Sequence, residues 1–168
     1  MHTLFLHSYC IVCSVSEIIV ILHNIRSTHN VGSIFRTADA VGVTKMYLTG
    51  YTPKPIDRFG RVQKDIAKTA LGACEYVSWE AGDVSKVMSD LKKEGFSIIS
   101  IEQDEHSIAL QDFKALPKMV LLLGNEVRGI SKQLRDKSNY IVEIPMHGKK
   151  ESLNVSVTAG IVLFSLYK

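Results

Sequence analysis

Residues 119–129 read MVLLLGNEVRG, an apolar run followed directly by a polar loop with a glycine at each end. A continuous apolar run of this length is typical of a strand that helices cover on both faces of a parallel sheet. In such a sheet, ligands bind beyond the carboxyl ends of the strands. The loop 124–129 is therefore predicted to lie where an α/β protein keeps its binding site.

Short apolar or β-branched runs alternate with helical periodicity along the rest of the chain. The predicted strands are residues 18–22, 45–49, 75–79, 97–101, 119–123 and 140–144. Residues 31–42 and 84–95 carry apolar side chains three and four positions apart, and Asn30 and Asp83 are their predicted N-caps. This alternation predicts a single α/β domain over residues 17–168, with a mostly parallel sheet flanked by helices.

The first residues form a poorly specified N-terminal extension, residues 1–16. An apolar stretch over residues 3–22 is interrupted by His7 and Glu17, and no Lys or Arg precedes it. It therefore predicts neither a signal peptide nor a membrane span. We expect a cytoplasmic protein with no membrane partner.

The composition is that of a globular protein without a strong charge bias. Of 168 residues, 46% are apolar and 22% are charged, and the formal net charge is +3. This balance excludes a disordered chain and permits, without requiring, an RNA partner. Of the three cysteines, Cys10 and Cys13 form a C-x-x-C pair that lacks the second half of a zinc site, so we expect no metal.

Two further polar segments follow predicted strands. Residues 24–36 read NIRSTHNVGSIFR, and residues 144–156 read IPMHGKKESLNVS. Each alone could be an ordinary loop, and the alternation around Leu153 would also fit a strand. No phosphate-binding glycine fingerprint is present, which disfavours a nucleotide-binding oxidoreductase. The coincidence of three such segments at strand ends favours a functional site.

Residues 51–63 form a different kind of segment. They contain Pro53, Pro55, Gly60 and three basic residues, with little periodicity. Long exposed loops on a rigid sheet often carry function, and we interpret this one as such a loop.

The quoted segments resemble the motifs of a known enzyme family. The sequences NVGSIFRTA (30–38), LLLGNEVRGI (121–130) and IPMHGKKESLNVS (144–156) are similar, in this order, to the three motifs of the SpoU (TrmH-like) RNA ribose methyltransferases of the SPOUT superfamily. The resemblance covers residues 18–168, and its third motif is the most specific. It implies an α/β domain whose C-terminal segment threads a deep trefoil knot, with a helix from Ser152 onward.

The same resemblance implies an activity and a set of residues. The chain would transfer a methyl group from S-adenosylmethionine to a ribose 2′-hydroxyl of tRNA or rRNA, as a homodimer with its site at the subunit interface. The implied catalytic residues are Asn30, Arg36, Glu126, Ser152 and Asn154. The implied cofactor-binding residues are Ile101, Leu123, Gly124, Ile144, Met146, Ser152 and Leu153.

Basic residues are the candidates for contact with RNA phosphates, since we expect recognition to rest on this domain and its dimer partner. They are Arg26, Arg58, Arg61, Arg128 and Lys149, together with Lys54, Lys64 and Lys150. For each of them taken alone, solvated surface charge is the alternative interpretation.

Arg36 is the residue whose role needs a chemical argument. The family's proposed role for it is to activate the hydroxyl, but an arginine is a poor base because its pKa exceeds about 12. Our hypothesis is that Arg36 binds the adjacent phosphate through paired hydrogen bonds and orients the 2′-oxygen. It would act in its own subunit or across the dimer.

Two other functions fit the same fold. One is a non-catalytic RNA-binding protein, which the intact Arg36, Glu126, Ser152 and Asn154 disfavour. The other is an RNA base methyltransferase of the same superfamily, which the SLNVS sequence (152–156) disfavours.

Overall fold

Parallel strands form the centre of the molecule. The computed structural model describes residues 16–167, in which seven strands join one sheet in the order β3-β2-β1-β6-β4-β7-β5. The strands are β1 Glu17–His23, β2 Lys45–Thr49, β3 Trp79–Gly82, β4 Ser97–Ile101, β5 Ile108–Ala109, β6 Lys118–Leu123 and β7 Tyr140–Glu143. Every pairing between these strands is parallel, as predicted.

Helices cover both faces of this sheet. They are α1 Thr28–Val41, α2 Lys64–Ala70, α3 Ala73–Tyr76, α4 Val84–Lys93, α5 Lys132–Arg135 and α6 Val155–Leu166, with a short 3-10 turn at Leu110–Asp112. Side chains of β1 alternate between two cores: Ile18, Val20 and Leu22 face α1 and α6, whereas Ile19 and Ile21 face α4 and α5. Burial on both faces explains why the central strands are continuously apolar.

The predicted strands other than 75–79 coincide with β1, β2, β4, β6 and β7 to within one residue at each end. The strand predicted at 75–79 is wrong, because α3 occupies Ala73–Tyr76 and β3 begins only at Trp79. A short apolar run cannot by itself distinguish a strand from a buried helical turn. Here Gly72, at φ +90°, starts the helical turn, and Val77 is buried as its C-cap.

Two predicted helix starts are also corrected. The N-cap of α1 is Ser27 and not Asn30, since the Ser27 hydroxyl accepts the Asn30 backbone N–H at 3.3 Å. The last helix begins at Val155 and not at Ser152, because Asn154 serves as its N-cap and accepts the Ser156 N–H at 2.8 Å. Neither a helix nor a strand includes Ser152.

Some sequence predictions stay untested. The N-terminal extension lies, apart from Ser16, outside the described residues, as do Cys10 and Cys13. The domain boundaries and the trefoil knot stay predictions. Between residues 16 and 167, no helix is long and apolar enough to cross a bilayer.

We expect Gly32→Ala to destabilise the domain, because a β-carbon at Gly32 would lie 2.5 Å from the Ile66 carbonyl oxygen and would overlap the Thr69 hydroxyl. Overpacking of this kind costs about 1–3 kcal/mol. Because the obstacle is backbone, which cannot move aside easily, the cost of overpacking outweighs the helix propensity that alanine gains over glycine, at most about 1 kcal/mol.

The matched control is Gly160→Ala in α6, where the nearest atom to the new β-carbon, Thr37 Cγ2, is 4.0 Å away. This variant should unfold at the same urea concentration as wild type or at a higher one. Equal stability of the Gly32 and Gly160 variants would contradict the close packing of α1 on α2.

Candidate active site

The three segments singled out in the sequence meet at one edge of the sheet. Strands β1, β6, β4 and β7 are neighbours in that order, and all run in the same direction. Their carboxyl ends lead into residues 24–36, 124–129, 102–107 and 144–156. The fold thus places these segments side by side, as the general rule for α/β sheets predicts.

The carboxylate of Glu126 joins the second segment to the first. Its oxygens accept the backbone N–H groups of Arg26 at 2.9 Å and Ser27 at 3.1 Å, and the side-chain N–H of Asn30 at 3.0 Å. Amides at the start of a helix lack partners within the helix, and they form the positive end of its dipole. Glu126 supplies both an acceptor and a negative charge to the start of α1.

These contacts keep Glu126 ionised. Partial burial of the carboxyl group by itself would raise its pKa, but the hydrogen bonds from the Arg26 N–H, the Asn30 side chain and the Ser27 N–H outweigh it. The net effect lowers the pKa of Glu126 below its ordinary value of 4.5. A carboxylate with a lowered pKa and its oxygens engaged is a poor proton acceptor, so Glu126 serves here to position its neighbours.

Asn30 and Asn154 extend this contact to the third segment. The Asn154 side-chain N–H donates to the Asn30 side-chain oxygen at 3.1 Å. The Asn154 oxygen in turn accepts the Ser156 N–H at 2.8 Å, which caps α6. Glu126, Asn30 and Asn154 therefore form one hydrogen-bonded chain that crosses all three segments.

Asn125 fixes the shape of the loop after β6. Its buried side chain accepts the N–H groups of Val127 at 3.0 Å and Arg128 at 2.8 Å. The same side chain donates to the Asn24 carbonyl and to the Tyr51 hydroxyl, each at 2.9 Å. The loop is thus closed on itself and attached to the ends of β1 and β2.

A glycine is required where this loop returns on itself. A β-carbon at Gly124 would lie 2.6 Å from the carbonyl carbon of Gly129, which has φ +61°. Gly129 also lies against the carboxylate of Glu102, which accepts the Ile130 N–H at 2.8 Å. The spacing of glycines in GNEVRG therefore reflects close backbone packing.

A pocket of about 340 Å³ opens beside the hydrogen-bonded chain. All of the residues predicted to bind a cofactor line it: Ile101, Leu123, Gly124, Ile144, Met146, Ser152 and Leu153. Glu126 lines it as well, and Asn30 and Asn154 adjoin it through the bonds described above. Sequence motifs separated by many residues thus surround one cavity.

Sequence reasoning missed part of this lining. The additional residues are Glu102, Gln103, Asn125, Val127, Gly129, Glu143, Glu151, Val155 and Thr158. For Glu102 a signal was present, since it follows the carboxyl end of β4 directly. For Glu151 no local signal was present, because its place at the pocket depends on a tertiary contact. Its carbonyl accepts the side-chain N–H of Gln103, which is distant in sequence, at 2.7 Å.

Arg36 is the predicted catalytic residue that the fold does not bring to the pocket. It lies on the exposed surface of α1, six residues beyond Asn30, which corresponds to about 9 Å along a helix. It does not line the pocket. The predicted RNA contacts Arg26, Arg58, Arg61, Arg128 and Lys149 are likewise exposed, and their role stays a prediction.

The arrangement of motifs matches that of known proteins. The family model described as the SpoU rRNA Methylase family matches residues 17–164. The chain belongs to this SpoU family. A protein of Staphylococcus haemolyticus named as a TrmH family tRNA/rRNA methyltransferase is 31% identical over 151 residues, which are 89% of this chain and 58% of that protein.

Solved SpoU-family structures share the fold. An AdoMet-bound rRNA methyltransferase from Sinorhizobium meliloti superposes with a TM-score of 0.81 at 25% identity, covering 89% of this chain and 55% of that one. The A. aeolicus TrmH/SpoU tRNA modifying enzyme gives a TM-score of 0.78 at 28% identity, covering 90% and 74%. The present chain spans 58% of the length of the curated relatives that it matches.

We expect Glu126→Gln to destabilise the native state at neutral pH. A neutral amide offers one acceptor oxygen where the carboxylate offers two, so an N–H of Arg26 or Ser27 loses its partner at a cost of about 1–3 kcal/mol. Because folding lowers the pKa of Glu126 below 4.5, the ionised group stabilises the native state above that pH. This contribution is lost as the pH falls through the folded pKa.

The difference in unfolding free energy between wild type and Glu126→Gln is measured by urea unfolding, once at neutral pH and once below pH 4.5. The gap in unfolding free energy between the two should narrow in acid. Glu105→Gln, at a side chain that is 85% exposed, is the control and should change little at either pH. A gap that stays constant with pH would show that Glu126 acts through packing alone.

Proposed function

We propose that the chain transfers a methyl group from S-adenosylmethionine to the 2′-hydroxyl of a ribose in tRNA or rRNA, in the cytoplasm. The observation that carries this proposal is the hydrogen-bonded chain of Glu126, Asn30 and Asn154, which joins all three family motifs beside one pocket. The names of SpoU-family relatives, tRNA/rRNA methyltransferase among them, support RNA as the acceptor.

The pocket suits S-adenosylmethionine in size and chemistry. Its volume of about 340 Å³ lies within the range of small-molecule sites, roughly 300–1,000 Å³. The apolar side chains of Leu123, Ile144, Met146, Leu153 and Val155 offer a surface for an adenine ring. The carboxyl groups of Glu102, Glu126, Glu143 and Glu151 would complement a cationic ligand. An AdoMet-bound neighbour with the same fold supports this choice.

When bound, the cofactor supplies a methyl group that is already activated on a sulfonium sulfur. The chain's own residues are therefore needed for placement more than for covalent chemistry. The backbone of the loops at Gly124 and Ile144 would hold the cofactor. Asn30, Ser152 and Asn154, at the edge of the pocket, would hold the acceptor ribose.

The remaining requirement is a destination for the hydroxyl proton. Glu126 is unsuited because its oxygens already accept three N–H groups. In our proposal the Arg36 guanidinium binds the neighbouring RNA phosphate and orients the 2′-oxygen. The proton then passes to that phosphate or to water.

A second copy of the chain would complete the site. Helix α6 exposes Val157, Ile161 and Phe164, an apolar stripe three and four residues apart. A β-carbon built on Gly160 of this helix would lie 4.0 Å from Thr37 Cγ2, and Thr37 adjoins Arg36 on α1. A homodimer formed through the stripe would cover apolar side chains and bring the Arg36 region towards the partner's surface. We propose this dimer as the active form.

The test is transfer of a radiolabelled methyl group to total RNA, followed by digestion to nucleosides. The proposal predicts the label on ribose in 2′-O-methylated nucleosides. Label on a base would identify a base methyltransferase. Absence of transfer together with RNA binding and no affinity for S-adenosylmethionine by calorimetry would identify a non-catalytic RNA-binding protein.

We expect Arg36→Ala to lower kcat/KM by at least about tenfold, since hydrogen bonds to a charged group are worth about 1.5–3 kcal/mol. Arg36→Lys should fall between wild type and Arg36→Ala, because it keeps the charge and loses the fork geometry. Lys92→Ala, which removes an exposed charge from α4 on the opposite sheet face, is the control. A wild-type rate for Arg36→Ala would refute both proposed roles of this arginine.

A further inference from the structure

The loop between β2 and α2 folds into a small hairpin, residues 55–63. The proposed methyl transfer does not account for the shape of this hairpin. Ile56 and Val62 pair as an antiparallel bridge. The Gln63 N–H donates to the Pro55 carbonyl at 2.8 Å and closes the base of the hairpin. The segment therefore has a defined shape although it contains neither a helix nor a strand.

Asp57 organises the tip of this hairpin. One carboxylate oxygen accepts the backbone N–H groups of Phe59 at 2.8 Å and Arg61 at 3.0 Å. The other oxygen accepts the Arg61 side-chain Nε–H at 2.8 Å, which fixes the guanidinium. Gly60, at φ +78°, permits the turn. The backbone around Phe59 is thus held from both sides.

The side chain that this tip presents is aromatic and lies in water. Phe59 is 66% exposed. The guanidinium carbons of Arg58 and Arg61 lie 4.7 and 5.0 Å from the centre of its ring. A phenylalanine exposed to this extent adds little to folding, because its apolar surface stays in contact with solvent. An organised tip with one aromatic ring and two arginines is suited to a planar, anionic partner.

The hairpin starts at the same sheet edge as the candidate active site. Tyr51 accepts a hydrogen bond from Asn125 at 2.9 Å, next to Glu126. Phe59 follows Tyr51 by eight residues, so their Cα atoms are at most about 28 Å apart even in a fully extended chain. An RNA strand with its target ribose at the edge of the pocket could therefore reach the hairpin a few nucleotides away.

We propose that Phe59 stacks against an unpaired RNA base near the target nucleotide, while Arg58 and Arg61 contact the adjoining phosphates. The identity of the partner as RNA rests on the proposed function. Single-stranded RNA is commonly recognised by bases stacked on aromatic rings or guanidinium planes. Phe59 is thus a positioning residue that favours unpaired over double-helical acceptors.

The test measures RNA binding directly, so that it does not depend on methyl transfer. The probe is a hairpin RNA that carries 2-aminopurine in its unpaired loop, whose fluorescence falls when the base stacks on an aromatic ring. We expect Phe59→Ala to raise Kd by about 5- to 150-fold, as for the loss of one stacked base, and to abolish the quenching. A fully paired duplex should bind both proteins equally.

Two replacements separate stacking from simple apolar contact. Phe59→Trp should restore affinity, whereas Phe59→Leu should not. The matched control is Tyr76→Ala, which removes an aromatic side chain that is 76% exposed. Tyr76 ends α3, just before the amino end of β3 and so at the opposite edge of the sheet. This variant should bind like wild type.

Three results would overturn the proposal: wild-type affinity for Phe59→Ala, equal rescue by leucine and tryptophan, or no RNA binding by the wild-type protein. Thermal unfolding of each variant checks that the fold is unchanged. A wild-type protein that binds the RNA and transfers no methyl group would contradict the proposed activity, while the stacking would still be judged by its Kd.

Discussion

A carboxylate bonded to the first turn of a helix holds the functional edge of this protein in place. Glu126 follows β6, and the N–H groups that it accepts belong to Arg26, Ser27 and Asn30, about a hundred residues earlier in the chain. Of these donors, the Ser27 backbone N–H has no partner inside α1, so Glu126 offsets part of a deficit that is present at every helix start. The negative charge also lies at the positive end of the helix dipole. One side chain thereby fixes two loops relative to each other.

The same interaction joins the three family motifs by hydrogen bonds. The Asn30 side-chain N–H donates to Glu126, and the Asn30 side-chain oxygen accepts from Asn154, which caps α6. A change at any of these side chains alters the hydrogen bonding of the others, so we expect their contributions to stability to be non-additive. The backbone of Gly124 packs closely against Gly129, so the loop that carries Glu126 has little room to move and restore a lost hydrogen bond.

The sheet and the position of the pocket could be predicted because continuous apolar strands and their polar ends are visible locally. The cofactor-site residues came from the family resemblance, and spacing alone would not have assigned them. The N-cap of α1 could not be predicted locally, since Ser27 and Asn30 are both good N-caps. Glu126, a distant residue, decides between them by bonding to the Asn30 side chain. The strand predicted at residues 75–79 was wrong for a different reason. Val77 is buried as the C-cap of a short helix, and burial alone does not distinguish that position from one in a strand.

The distribution of charge around the site separates two kinds of ligand. The acidic residues Glu102, Glu126, Glu143 and Glu151 line the pocket, whereas the basic candidates for RNA contact lie on the exposed surface. A cavity rimmed by carboxylates repels phosphate and attracts a sulfonium cation. On the proposed function, the phosphates of RNA would therefore be held outside the pocket by arginines, and only the neutral ribose would approach the methyl donor. Selection between cofactor and substrate would then follow from electrostatics before any specific contact forms.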